Sequence, residues 1–361
     1  MDQREKGGAK VRITVSLRWS ESGQVSADGA SSLVDILGPL STVRKTPMDT
    51  PSFDVIIVGG GFAGNATGVT LARALRSVAI FDTGRPRNRF SSHAHGVLGQ
   101  DGANPLELLR RGSEEFSAFG GAQFSDEILK IQAVETSAPH GKTLWEVHSA
   151  QGKKYRASHV LVATGISDKL PAVPGLEDLW GQRVFHCPYC HGFEIRDTDC
   201  AVIGGLNPGF TFRMAHMLRN WTSQLTFYTN GLVLDAQQRA LYAARGVIVD
   251  DTPVISVEAD QNSPSGVVVN AESGCSRFES CFTGPDFLAN HSLLLDAGCE
   301  HANGWVLQDG GKTSVPRLWS AGNVTSSPDQ ISQAMGSAVA TAIAIDQTLL
   351  NDELAALASS F

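Results

Sequence analysis

At 361 residues the chain is longer than one hydrophobic core usually serves, so about two domains are expected once any appended tail is set aside. Hydrophobic residues at 42% and charged residues at 18% exclude an acidic disordered chain and a collagen-like one. A formal net charge of −8, with no long basic segment, argues against nucleic acid and anionic membrane as partners and leaves small molecules.

No stretch reaches the roughly 18 apolar residues of a bilayer span, and the N-terminal region lacks the apolar run of a signal peptide, so a cytoplasmic protein is expected. Residues 1–48 are rich in Ser, Gly and charge and read as a disordered extension, apart from an alternating stretch over 11–17 that suits a short strand. Met48 stands just before the first strong fold signal, and a natural start of translation there is the alternative.

From Phe53 the pattern changes. Val55-Ile56-Ile57-Val58 is a continuous, β-branched apolar run, the mark of a strand buried on both faces. Gly59-Gly60-Gly61-Phe62-Ala63-Gly64 follows at once, a helix is predicted over 65–75, and a second strand over 78–81 ends at Asp82. Strand, glycine turn, helix and acid together predict a dinucleotide-binding βαβ unit. In such a unit Gly59 allows the tight turn, Gly61 lets a pyrophosphate approach the backbone and Gly64 lets helix and strand pack closely. Asp82 is spaced to accept hydrogen bonds from a ribose.

A second unit is predicted from a strand over 200–203, the turn Gly204-Gly205-Leu206-Asn207-Pro208-Gly209, a helix to Arg219 and a strand over 225–228. Its fingerprint is damaged. Leu206 takes the place of the second glycine, and the strand runs into Thr229-Asn230-Gly231, which offers neither an acid for a ribose nor an arginine cluster for a 2′-phosphate. NADP binding is therefore expected to be weak or absent. Further on, a strand over 317–320 leads into Ala321-Gly322-Asn323, a loop through Pro328 and a small-residue helix over 330–350.

Of six cysteines, Cys187 and Cys190 form the close pair. In His186-Cys187-Pro188-Tyr189-Cys190-His191-Gly192 the spacing suits a redox dithiol, with a helix N-terminus or a histidine to lower a thiol pKa. The same letters suit covalent haem, a zinc pair or a glutaredoxin-like tetrapeptide. Haem attachment needs export. Zinc needs a second ligand pair, which Cys200, Cys275, Cys281 and Cys299 do not supply at short regular spacing, and the flanking βαβ signals disfavour a glutaredoxin. The dithiol reading is preferred and no metal is expected. His191 is the first candidate for acid–base work and His186 the second, whereas His93 and His95 read better as surface-loop histidines.

In chain order, Gly59 to Gly64, Ala163-Thr164-Gly165, Cys187 to Glu194 and Ala321-Gly322-Asn323 resemble low-molecular-weight thioredoxin reductase-like flavoproteins over roughly residues 52–350. The Cys-Pro-Tyr-Cys-His-Gly run is similar to that of the dithiol oxidases that close disulfides in the gliotoxin, holomycin and romidepsin pathways; thioredoxin reductases usually carry an aspartate after the second cysteine. The resemblance implies an α/β fold of two Rossmann-like nucleotide-binding domains. The FAD-binding domain is discontinuous, 49–168 and 285–361, and the inserted NAD(P)H-like domain, 169–284, carries the CxxC. It also implies FAD held by Gly59, Gly61, Phe62, Ala63, Gly64 and Asp82, with Ala163, Thr164, Gly165, Gly322 and Asn323 around it. Asn323 stands where the family commonly has an aspartate. The amides of Gln333 and Ala334 are expected to face the pyrimidine edge of the ring. Cys190 is then the flavin-proximal thiol and Cys187 the one that exchanges with substrate. The function implied is oxidation of a small-molecule dithiol by a homodimer with molecular oxygen as acceptor. An NADPH-dependent thioredoxin or small-disulfide reductase and a non-catalytic flavin redox sensor are the alternatives.

Overall fold

The computed structural model describes residues 50–134, 144–326, 328–359 and 361. The extension expected over 1–48, with its strand over 11–17, lies outside the described residues.

Strand Ser52–Val58 forms where its apolar run predicts, with Val55, Ile56 and Ile57 fully buried. It is covered on both faces because it lies inside a sheet, parallel to Val78–Asp82 on one side and to Lys154–Val162 on the other. Leu318–Ser320 joins Lys154–Val162 in parallel, so a sheet of nine strands, counted among the described residues, draws on both ends of the chain. Helix Phe62–Arg73 connects the first two strands and packs on the C-terminal helix Ile331–Ala358 through Leu71, Ala72, Ala338, Ala342 and Ile345. The first helix begins three residues earlier than predicted, directly after the extended Gly61. It stops at Arg73 because Leu75 takes φ +61°, which no helix continues.

A second sheet of five strands is all parallel, in the order Val247–Asp250, Leu225–Tyr228, Cys200–Ile203, Ser280–Thr283, Val184–Phe185. Helix Pro208–Leu218 crosses between Cys200–Ile203 and Leu225–Tyr228, as the second βαβ pattern predicts. An antiparallel sheet, Val254–Ala259, Val267–Ala271 and Gly274–Phe278, covers the other face through Val257, Val267 and Val269. The expected α/β fold with two Rossmann-like sheets is therefore present. A short ladder between Ile166–Lys169 and Asp286–Ala289 runs where the chain passes from one sheet to the other and back. Among the described residues no helix is long and apolar enough to cross a membrane.

Candidate functional site

The first glycine turn borders a groove of about 660 Å³. Gly59 sits at φ +104°, where a Cβ would stand 2.5 Å from the Ala163 carbonyl oxygen. A Cβ on Gly64 would stand 1.8 Å from the Gly59 oxygen, so this glycine packs the helix onto the turn. Gly61 differs: a Cβ there meets nothing within 4 Å, and the residue lies on the groove wall. The missing side chain thus leaves a cradle of exposed backbone open to a ligand.

The Asp82 carboxylate is fixed at the same wall, accepting from the Gly60 amide and from the Gly84 amide, each at 3.0 Å. Phe62, Ala63, Ala163, Thr164, Gly165, Asn323 and Ala334 also line the groove, while Gly64, Gly322 and Gln333 do not. A Cβ on Gly322 would stand 2.7 Å from that of Ala63, so its bareness lets the loop before the C-terminal helix approach the first helix. Asn323 accepts from the Asp329 amide at 3.0 Å and so closes that loop.

The expectation for Gln333 and Ala334 is corrected. The Ala334 amide donates to the Gln330 carbonyl at 2.9 Å, and Gln333 is tied to Gln330 in a reciprocal cap. Helix geometry leaves the amides of Ile331 and Ser332, one turn earlier, without intrahelical acceptors, and Ile331 lies on the wall. The cofactor carried by the resembling family is a dinucleotide. An open glycine cradle, a fixed carboxylate acceptor and the donors of a helix N-terminus on one groove are what such a group needs.

The dithiol occupies a one-turn helix, Pro188–His191, whose first position suits proline because the amide there has no helical partner to lose. The Cys187 carbonyl accepts from the Cys190 and His191 amides at 3.1 and 3.2 Å, and the two cysteines form a disulfide with Cα atoms 5.3 Å apart. Both line a cavity of about 160 Å³. Arg87, Asn88, Asp329, Gln330 and Ile331 line this cavity and the glycine-turn groove alike, so the disulfide and the groove share a wall.

The histidines do not behave alike. His186 Nε2 lies 3.0 Å from Arg87 Nη2, and since a guanidinium only donates, this nitrogen is an acceptor and the ring is neutral. Burial, with the Arg87 charge, pushes the His186 pKa well below its ordinary value, and the Trp180 ring stacks 5.6 Å away. Arg87 also grips Asp168 with two hydrogen bonds, 2.8 and 2.6 Å. His186 is thus built to hold its neighbours in place rather than to exchange protons.

Burial, with a smaller contribution from His95, lowers the His191 pKa to about 4, and its ring lies 4.1 Å from that of Phe185. It is therefore neutral at pH 7. His93 and His95, read from sequence as surface-loop histidines, both line the disulfide cavity. Arg87 and Asp168 carry no local pattern that marks them, since they meet across 81 residues; His95 pairs with Asp101 in its own loop and with Glu194 across the chain.

At the second glycine turn Leu206 is 43% exposed. Helix Pro208–Leu218 opens on a residue without an amide hydrogen, Asn207 Oδ1 accepts from the Phe210 amide at 3.1 Å, and the Asn207 carbonyl accepts from the Thr211 amide at 2.9 Å. Most donors of the first turn are therefore already satisfied within the protein.

Two nucleotide-type sheets, one mixed and one parallel, and a CxxC disulfide beside the first glycine groove define a class of disulfide oxidoreductase. The chain belongs to the pyridine nucleotide-disulphide oxidoreductase family, whose pattern matches residues 53–338. Within it the chain is thioredoxin reductase-like. It is 31% identical to the protein in the crystal structure of HlmI, with a TM-score of 0.80 over 86% of this chain and 96% of that one. Thioredoxin reductase aclD of Aspergillus oryzae is 27% identical over 85% of this chain and 100% of its own length. Thioredoxin reductase sirT of Leptosphaeria maculans is 26% identical, over 84% and 96%.

Proposed function

We propose that this protein oxidises the two thiols of a small molecule to an intramolecular disulfide, in cytoplasmic natural-product biosynthesis, with FAD in the glycine-turn groove and molecular oxygen as final acceptor. The observation that carries the reading is the wall common to that groove and to the Cys187–Cys190 cavity. FAD, when bound, supplies a two-electron acceptor for the reduced cysteine pair and hands the electrons on. Gly59, Gly61, Gly64 and Asp82 serve its ADP half, with Phe62 and Ala63 beside them, and Ala163, Thr164, Gly165, Gly322, Asn323 and Ala334 shape the rest of its berth. Gln333 contributes through the cap it makes with Gln330. The division into an FAD-binding domain, 49–168 and 285–361, and an inserted domain, 169–284, is part of this reading, as is a homodimer.

The protein's own steps are thiol–disulfide exchanges. A substrate sulfur attacks Cys187 Sγ, the Cys187–Cys190 bond breaks, and Cys190 leaves as thiolate. The second substrate sulfur then displaces Cys187, and the product departs with its own disulfide. His191, neutral at pH 7, takes the substrate's thiol proton, and His186 fixes the segment leading into Cys187 through its hydrogen bond with Arg87.

Leu206 and the self-satisfied helix start beyond it support oxygen rather than NADP as the electron partner. The relatives named thioredoxin reductase favour the second reading, an NADPH-dependent reductase of thioredoxin or small disulfides. Two measurements separate them. Oxygen uptake with dithiothreitol is expected without any nicotinamide nucleotide and is expected to fall to background in Cys187→Ser. Anaerobic NADPH is expected to leave the yellow absorbance intact, and rapid bleaching would instead establish the reductase.

A further inference from the structure

Four imidazoles line the disulfide cavity, those of His93, His95, His186 and His191, and they differ in what holds them; His186 is tied to Arg87 at 3.0 Å. His191 is packed inward against Phe185. His93 is exposed, with Nδ1 2.8 Å from the hydroxyl of its neighbour Ser92. His95 stands between inside and outside. Its ring is 6.5 Å from that of His191, edge to face at 83°. Its Nδ1 lies 3.3 Å from Asp101 Oδ1 and its Nε2 3.6 Å from Glu194 Oε1. The His95 side chain is 18% exposed, while those of Glu194 and Asp101 are 43% and 72% exposed. From Cys190 outward the groups therefore run His191, His95, then two carboxylates in water.

We infer that His95 is the second station of a proton path from the sulfurs through His191 to solvent, held in register by Asp101 and Glu194. The inference rests on dithiol exchange at Cys187. That exchange consumes substrate dithiol and the protein disulfide and yields substrate disulfide and the reduced Cys187/Cys190 pair. Two electrons pass from the substrate sulfurs to the protein sulfurs, so no outside oxidant enters this half. In the first step the electron pair of the substrate sulfur forms the bond to Cys187 Sγ, and the pair of the old bond stays on Cys190 Sγ. The thiol proton goes to His191. Burial disfavours the charged ring there, so the proton must move on, and the ring of His95 lies edge to face with it at 6.5 Å. His95 in turn lies beside the Asp101 and Glu194 carboxylates, which open to water. Glu194 belongs to the segment that carries the dithiol and Asp101 to the loop of His95, so the path is complete only when loop 93–101 lies against that segment. His95 acts through His191 and is a positioning residue.

The test uses the full-length, FAD-loaded protein, mixed anaerobically with dithiothreitol and quenched by alkylation, with the thiols freed at Cys187 and Cys190 counted by mass spectrometry. His95→Ala is expected to lower the saturating exchange rate at pH 7 by about 10-fold or more, with the half-saturating dithiothreitol concentration unchanged. Imidazole in the buffer is expected to restore most of that loss. His95→Gln, which keeps polar contacts but cannot carry a proton, is expected to lose as much as His95→Ala. Wild-type rates in His95→Ala, or a loss that imidazole leaves untouched, would overturn the inference while the exchange reading stands. A wild-type protein whose disulfide does not exchange, matching Cys187→Ser, overturns both.

Discussion

Gly61 matters more to a ligand than to the fold, and the contrast with Gly64 makes this measurable. Nothing lies within 4 Å of a Cβ at Gly61, whereas one at Gly64 falls 1.8 Å from a backbone oxygen that cannot swing aside. Gly61→Val is therefore expected to stay within about 1 kcal/mol of wild type in urea unfolding, the cost of a poorer helix cap. It is also expected to weaken FAD binding at least tenfold in a fluorescence titration, because the side chain fills the cradle. Gly64→Ala is expected to lose roughly 3 kcal/mol or more of stability by forcing helix and turn apart. Equal stability losses in the two variants would remove the case for a cradle at Gly61. The packing of helix onto turn at Gly64 was legible in the sequence because the turn is local. The Arg87 grip on Asp168 and His186 was not, since those partners are 81 and 99 residues away and arginine is an ordinary loop residue.

At the scale of elements, short apolar runs bounded by turns were read well, and helix ends were read poorly where distant residues hold them. The strand at Leu225–Tyr228 matches its prediction to the residue, because four alternating or apolar positions next to a turn leave little choice. The C-terminal helix runs to Ala358, eight residues past its predicted end at 350. Asn351-Asp352-Glu353 looks like a stop in isolation, but Asp352 binds Arg317 at 2.6 Å and Glu353 binds Arg76, so the polar turn is tied down from elsewhere. The same helix end lies near a buried histidine with a consequence for pH. His159 is fully buried, its Nδ1 accepts from the Trp319 indole at 2.9 Å, and burial lowers its pKa to about 4. The unfolded chain titrates this group near 6.5, so below that pH the unfolded state binds the extra proton and stability falls toward pH 4. The contribution is intact above pH 6.5 and amounts to a loss of about 2 kcal/mol between pH 7.5 and pH 5. His159→Asn keeps an acceptor for Trp319 without titrating. Its urea stability is expected to fall less over that range than that of wild type, by about the same 2 kcal/mol. Parallel pH profiles for the two proteins would refute it.

The whole molecule sets two nucleotide-type sheets side by side and arms them differently. The first βαβ unit keeps an open cradle at Gly61, a fixed Asp82 carboxylate and a groove. The second keeps the topology and loses the donors, with Leu206 in the turn and Asn207 satisfying the helix start. The proposal that NADP binds weakly rests on one residue, Leu206, because a dinucleotide needs close backbone approach and a side chain there hinders it. What the sequence could not supply is the wall shared by groove and disulfide, which is assembled from loops around Arg87, His95, Cys187 and Gln330 that only the packing of the sheets brings together. Ligand binding to the folded state raises the unfolding midpoint by mass action, so the asymmetry has a direct readout in thermal unfolding of the flavin-stripped protein. FAD at about a hundred times its Kd is expected to add about 2.7 kcal/mol and raise Tm by several degrees. NADPH at a concentration on the order of 1 mM is expected to leave Tm unchanged, since a site with millimolar Kd or weaker adds less than about 0.4 kcal/mol. A comparable rise with each nucleotide would mean that the second turn binds despite Leu206, and electron flow from NADPH would become the better account of the disulfide.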